Sequence, residues 1–199
     1  MSRGIVRDDI DKFFDYEIYL PTRTIYLGSV SYEDGEETGT DHQMSERAIK
    51  GLHILDKNAP AGDKPITIIM NNDGGDTYHG FAIYDAVLRC RNHVTIIGTG
   101  NCMSMGSVIL QAADERILTP NAKFMIHYCT WGIHGVTKTA VRWADEAKKL
   151  DQSLVDIYLE KIRVKHPTFT REKVDKLLNF DTILTAQEAV DLGLADKVE

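Results

Sequence analysis

The chain has 199 residues, 43% hydrophobic and 27% charged, the mix of an ordinary soluble globular protein and enough for one domain with a sizeable core. A net charge of -7 argues against nucleic acid as the main partner, and no apolar run approaches the ~20 residues that span a membrane. The first residues, MSRGIVRDDIDKFF, hold no apolar signal core, and the three cysteines, Cys90, Cys102 and Cys129, form no close-spaced pair. Both features suit a cytoplasmic protein with reduced thiols rather than a secreted disulfide framework.

Met1 to Lys12 is polar and charged and reads as a mobile arm; we place an N-terminal arm at residues 1–13 and a single domain at residues 14–199. Thr24 to Val30 reads as a strand. Tyr32 to His42 (YEDGEETGTDH) is acidic and Gly-bearing, an exposed loop. Met44, Ala48, Leu52 and Leu55 share one helical face, which predicts a helix from Gln43 to Asp56. Asn58 to Pro65 is a turn-rich connection. Ile66 to Met70 (ITIIM) is a short apolar strand expected to be buried on both faces. Asn71 to Asp76 (NNDGGD) is a turn, and Thr77 to Arg91 a helix. Val94 to Gly98 is the next buried strand, followed by a small-residue turn and an apolar helix. Strand, Gly turn, helix thus occurs twice in succession. That indicates an α/β fold with parallel strands and a site at their carboxyl ends.

Further on, Lys123 to Ile126 is strand-like and delivers His127. Cys129 to Val136 is a Gly-containing loop. Thr139 to Lys165 is a long helix, charged on one side and ended by His166-Pro167. Thr170 to Leu178 is a short helix, and Asp181 stands just before the strand-like Thr182 to Leu184. Thr185 and Glu188 form a capping box for a last helix that ends near Gly193.

The chemistry gathers in Gly98 to Tyr128. Ser104 stands at a strand-to-helix turn, where a hydroxyl is exposed beside the free N–H groups and positive dipole end of a helix. The N–H of Met105 is placed to stabilise an oxyanion, and Gly106 lets the turn pack tightly. GTGNCMSMG matches the dinucleotide fingerprint at Gly98 and Gly100, but Met103 stands where the third glycine belongs. CMSMG is nearer to the hydrolase elbow G-x-S-x-G, with Cys102 for the first glycine. The order Ser104, His127, Asp181 differs from the hydrolase, chymotrypsin and subtilisin arrangements. Taken singly, Ser104 reads as a helix cap, His127 as a structural histidine and Asp181 as a turn residue.

Together these residues resemble the proteolytic subunit of the Clp protease family. Met103 to Gly106 matches the A-S-M-G of the family's nucleophile. Pro120 to His127 (PNAKFMIH) matches P-N-S-R-V-M-I-H, Asn71 to Gly75 matches N-S-P-G-G, and Asn179 to Ala189 (NFDTILTAQEA) matches R-D-x-F-(ML)-S-A-x-E-A. The resemblance runs over residues 14 to 199. It implies Ser104 as nucleophile, His127 as general base and then acid, Asp181 as the residue that orients the imidazole, and the backbone N–H groups of Gly75 and Met105 as oxyanion hole. A glycine at 75 is expected to keep a Cβ out of the path of the substrate carbonyl.

The resemblance also implies a single-domain ββα spiral of the crotonase type, with the long helix as a protruding handle. It implies self-association into rings, usually two stacked heptamers, around a chamber where unfolded polypeptides are cut. ATP would be used only by a partner unfoldase; no cofactor or metal is expected in this chain. Two other functions share parts of the pattern: a crotonase-like acyl-thioester enzyme, with the same two-N–H oxyanion hole, and an inactive regulatory ring subunit. The sequence departs from the family at Asp73 and Asp76, acids beside the expected oxyanion hole, at Asp114-Glu115 in place of a Gly-Lys-rich turn, and in the acidic loop. At the pocket where the family docks its ATPase the matching residues are Thr67, Ile69 and Arg89, which predicts weak docking of a standard Clp ATPase. Cys102 is expected to pack as a small apolar residue. His42, His53, His79, His93, His134 and His166 are expected to be ordinary.

Overall fold

The apolar, β-branched runs lie side by side at the centre of the molecule. The computed structural model describes residues 7–28, 39–58, 62, 64–132 and 134–199. β2 (Thr24–Gly28), β3 (Ile66–Asn72), β4 (Val94–Met103) and β5 (Glu115–Leu118) form a parallel sheet in that order. β1 (Ile18–Tyr19) pairs antiparallel with β2 at one end, and β8 (Lys197–Val198) runs parallel to β5 at the other. Among the described residues the domain is a mixed α/β unit of seven α-helices and an eight-stranded sheet, as expected.

Register explains which residues enter the core. Ile66 pairs with Val94 and Ile68 with Ile96, and all four are buried. Thr67 and Ile69, one residue along, are half-buried. Burial therefore alternates along β3, contrary to the expectation of a strand buried on both faces. Helices α2 (His42–Lys57) and α3 (Thr77–Leu88) supply Leu52, Leu55, Ile83 and Val87 to the core on one side, and the other side stays partly open. Each helix starts on an aspartate that accepts a backbone N–H: Asp41 from Met44, Asp76 from His79.

β4 is longer than its apolar run. Its first half, Thr95 to Gly98, pairs with β5; its second half, Asn101 to Met103, pairs with β6 (Lys123–Ile126). Gly100 makes the change of partner possible. It has φ 57°, and a Cβ there would stand 2.6 Å from Asn71 Oδ1. β6 in turn pairs antiparallel with β7 (Thr182–Thr185). The carboxyl ends of β4 and β6 and the amino end of β7 thereby meet.

α4 (Met105–Leu110) is buried throughout. α5 (Thr137–Lys165) is the predicted long helix; before Leu154 it buries Ala147, and after it Val155, Tyr158, Leu159 and Ile162. Its first turns therefore project from the body, as a handle does. α6 (Arg171–Leu178) follows, and α7 (Ala186–Leu192) carries the predicted capping box and stops at Gly193, φ 89°.

Part of the arm is helical. Residues Arg7 to Tyr16 form a helix, α1, which crosses the boundary placed between residues 13 and 14. Its Phe13 ring meets Tyr19 and Tyr26 edge-on. Ile10, Phe13 and Phe14 at helical spacing are the signal, outweighed in the sequence by the acids and bases around them. Residues 1–6, 29–38, 59–61, 63 and 133 lie outside the described residues, and with them the end of the first predicted strand, most of the acidic loop and part of the turn-rich connection.

Candidate active site

Three chain segments far apart in sequence bring the expected triad together. β4 ends at Met103, and Ser104 follows with φ 49° and ψ -123° before α4 begins. Such a backbone costs ~1–3 kcal/mol in a non-glycine residue and persists only where the surroundings enforce it. The Ser104 N–H donates to the carbonyl of Met125 on β6, which ties the turn to the strand that carries the histidine. His127 leaves the end of β6, with Nε2 2.8 Å from Ser104 Oγ. Asp181 comes from the junction between α6 and β7, with Oδ1 3.0 Å from His127 Nδ1. In the matching tautomer Nδ1–H donates to the carboxylate and Nε2 accepts the serine hydroxyl. The His127 side chain is 21% exposed and that of Asp181 70%.

The residues beside His127 are fixed from two helices. The Tyr128 N–H donates to the carbonyl of Leu178, and its hydroxyl donates to Asp175 on α6 at 2.7 Å. Burial and that carboxylate push the Tyr128 hydroxyl up to about 12. The Cys129 N–H donates to Asp151 on α5 at 3.2 Å. Burial pushes the Cys102 thiol up to about 12, so this thiol stays protonated and packs as expected. It lies in the core against Met70 Sδ and the carbonyl of Gly106.

The turn after β3 faces Ser104. Thr40, at the foot of the acidic loop, pairs with Gly75 as an isolated parallel bridge. Its N–H donates to the Gly74 carbonyl, and its carbonyl accepts from the Asp76 N–H at 2.7 Å. The bridge leaves the Gly75 N–H on its other side. Among the described residues neither that N–H nor the N–H of Met105 donates a hydrogen bond. Both are available for an anionic oxygen, and Met105 lies at the positive end of a helix start.

The loop itself gives a reason for glycine at these positions. A Cβ on Gly75, φ 142°, would stand 2.4 Å from the Thr40 carbonyl oxygen, so loop packing by itself already excludes one. Gly74 is the residue packed on the serine: its Cβ would stand 2.4 Å from Ser104 Cβ. The two acids of this turn serve to build it. Asp76 caps α3, and Asp73 Oδ1 accepts from Asn101 Nδ2 at 2.6 Å. Asp114, from the other departure, accepts the Val94 N–H. A cavity of about 160 Å³ opens beside Ser104 and His127, lined by Thr77, Met105, Val108, Cys129, Leu154 and Tyr158.

Residues 35–199 match the family described as Clp protease. The chain belongs to the Clp protease family. It is 35% identical over 188 residues to the ATP-dependent Clp protease proteolytic subunit of Deinococcus radiodurans, covering 92% of this chain and 84% of that protein. It is also 35% identical over 166 residues to the ATP-dependent Clp protease proteolytic subunit 1 of Chlamydia abortus, covering 81% and 82%.

Within this family chain, two of the three positions expected to dock an ATPase, Ile69 and Arg89, line different cavities. Ile69 lines an apolar cavity of about 410 Å³ with Ile10, Phe13, Phe14 and Tyr19. Arg89 lines a separate, charged cleft of about 510 Å³ with His53, Asp56 and Arg91. The aromatic side chains around Ile69 come from α1, most of which reads in the sequence as an arm, and from β1. Among the described residues no group of three His, Cys, Asp or Glu is placed to hold a metal ion, and no helix is long and apolar enough to cross a membrane.

Thr40 is the site residue that sequence reasoning missed. It falls in the stretch that reads as a solvated loop, and its one local signal is its place just before Asp41, the cap of α2.

Proposed function

We propose that this chain is a serine endopeptidase, the proteolytic subunit of a Clp-type ATP-dependent protease. The observation that carries the reading is the continuous hydrogen-bonded line from Ser104 Oγ through His127 to Asp181, set beside two unused backbone N–H groups. Ser104 Oγ attacks the scissile carbonyl carbon while His127 Nε2 takes its proton. Asp181 holds the ring in the Nδ1–H tautomer and stabilises the imidazolium. The N–H groups of Gly75 and Met105 receive the oxyanion of the tetrahedral intermediate. His127 then hands the proton to the leaving amine, and water, activated by the same histidine, frees the acyl-serine.

The substrates are unfolded polypeptides admitted to a chamber of self-assembled rings, two stacked heptamers by analogy with the family, in the cytoplasm. ATP serves a partner unfoldase, and the chemistry above needs no cofactor in this chain. A crotonase-like thioester reaction would leave the Ser104–His127–Asp181 line without a task, and an inactive regulatory subunit would have no use for it either. The test is hydrolysis of a fluorogenic peptide by the assembled protein. Ser104→Ala or His127→Ala is expected to lower kcat by ~10⁴-fold or more with folding intact. Near wild-type turnover by Ser104→Ala would overturn the reading.

A further inference from the structure

Two hydroxyls lie deep in the interior between α4 and α5. Ser107 is 0% exposed and Tyr158 1%. A buried hydroxyl without a partner is costly, so the destination of each proton is informative. Ser107 Oγ is 2.6 Å from the carbonyl oxygen of Ser104 and 2.7 Å from the Tyr158 hydroxyl. A carbonyl only accepts, so the one proton of Ser107 goes to Ser104, and Tyr158 must donate to Ser107. Burial pushes the Tyr158 hydroxyl up, which keeps it a donor. A one-way relay thus runs from α5, through α4, to the peptide unit of the serine in the triad.

That peptide unit is under strain. Ser104, Glu17 and Arg23 are the non-glycine residues at positive φ among the described residues; Arg23, at φ 57° and ψ 45°, lies in the left-handed helical region, whereas Ser104, at φ 49° and ψ -123°, lies outside it. Its carbonyl also accepts the N–H groups of Ser107 and Val108, both from its own helical turn. The Ser107 hydroxyl adds the tie that reaches outside the turn, to a helix 51 residues along the chain. Gln111 steadies the same turn by donating to the carbonyls of Ser107 and Leu194.

We infer that Ser107 and Tyr158 are positioning residues: their hydroxyls hold the Ser104 carbonyl, and through it the backbone angle that keeps Oγ on His127 and the Met105 N–H in place for the oxyanion. The inference rests on Ser104 being the nucleophile. Neither hydroxyl acts on the reacting atoms. The Tyr158 ring also lines the cavity beside Ser104, so Tyr158→Phe, which keeps the ring and removes the hydroxyl, is the informative change.

The experiment pairs steady-state peptide hydrolysis with the second-order rate at which a small fluorophosphonate labels the assembled protein, a reagent that needs no side-chain pocket. Ser107→Ala is expected to lower kcat by about 10-fold with KM within about 2-fold, and labelling by the same factor, as for a group acting only on transition-state geometry. Tyr158→Phe is expected to lower both by about 3-fold or more. The double variant should match Ser107→Ala alone, since Tyr158 acts through Ser107. Ser107→Thr, which keeps a hydroxyl, should recover most of the rate. A role confined to packing would lower the melting temperature and leave labelling at the wild-type rate, and that result overturns the inference. If Ser107→Ala does not assemble, the labelling rate of Tyr158→Phe decides by itself. Wild-type protein that is not labelled at Ser104 would bring down the proposed function and this inference together. Labelled wild type with unchanged variants would bring down the inference alone.

Discussion

The two strand–turn–helix units of the sheet solve the same backbone problem in opposite ways. After β3 the chain turns through Gly74 and Gly75, φ 101° and 142°, where glycine carries no steric penalty. After β4 it turns through Ser104, φ 49°, where a side chain does. In the proposed mechanism the first turn has to present only an N–H, so it discards its side chains and is held by Thr40. The second, in the same mechanism, has to present a hydroxyl, so it keeps its side chain and is held by β6 and the helix behind it. The comparison teaches that strain is retained where a functional group needs it and relieved where backbone alone suffices.

The sharpest way to break this comparison is to give the first turn a side chain. In Gly75→Ala the new Cβ must displace the Thr40 carbonyl, 2.4 Å away, at a φ that alanine resists. The expected result is a loss of ~10²–10³-fold in kcat, the usual worth of one oxyanion donor, measured on a fluorogenic peptide with KM followed separately. An unchanged kcat would mean that Gly75 N–H takes no part.

Next in size is Asp181→Asn. The carboxylate side chain is 70% exposed, so water competes for His127 Nδ1 in a way it does not around a buried acid. An asparagine there offers an amide that favours the wrong tautomer, and kcat is expected to fall by about 10²-fold. An unchanged rate would place the third member elsewhere.

The smallest expected effect on activity is at Asp56, a carboxylate with a purely structural setting. It accepts from the backbone N–H groups of Arg91 and Asn92 and from both side chains. Burial by itself would raise this carboxyl, but those hydrogen bonds outweigh it and hold it well below the usual carboxylate range. Its contribution to stability is therefore complete above the unfolded value, about pH 4, and is lost as pH falls below that toward the folded value. Asp56→Asn should cost about 2–3 kcal/mol at pH 7, flatten the acid side of the melting-temperature profile and leave kcat per folded subunit unchanged. A melting profile parallel to wild type would contradict this.

Most of the site was legible because its signals are local. Ser104 at a turn, His127 closing an apolar strand, and Asp181 ahead of a β-run each sit within a short motif, and their order supplied the rest. His127 and Asp181 are 54 residues apart, so their meeting depends on β6 pairing with β7, which no local pattern states. β5 and β8 went unread for the same reason: four and two residues long, they are strands because neighbours pair with them. The second half of β4, beyond Gly100, looks like a loop and is made a strand by β6. Thr40 and the Ser107–Tyr158 pair escaped notice because a hydroxyl in sequence says nothing of where it will be buried.

The central claim is that Ser104 is the nucleophile, activated by His127. The most direct measurement is peptide mapping by mass spectrometry after reaction of the assembled protein with a fluorophosphonate. The account predicts one adduct per subunit, on Ser104, lost in both Ser104→Ala and His127→Ala. An adduct on another residue, or undiminished labelling in His127→Ala, would contradict it.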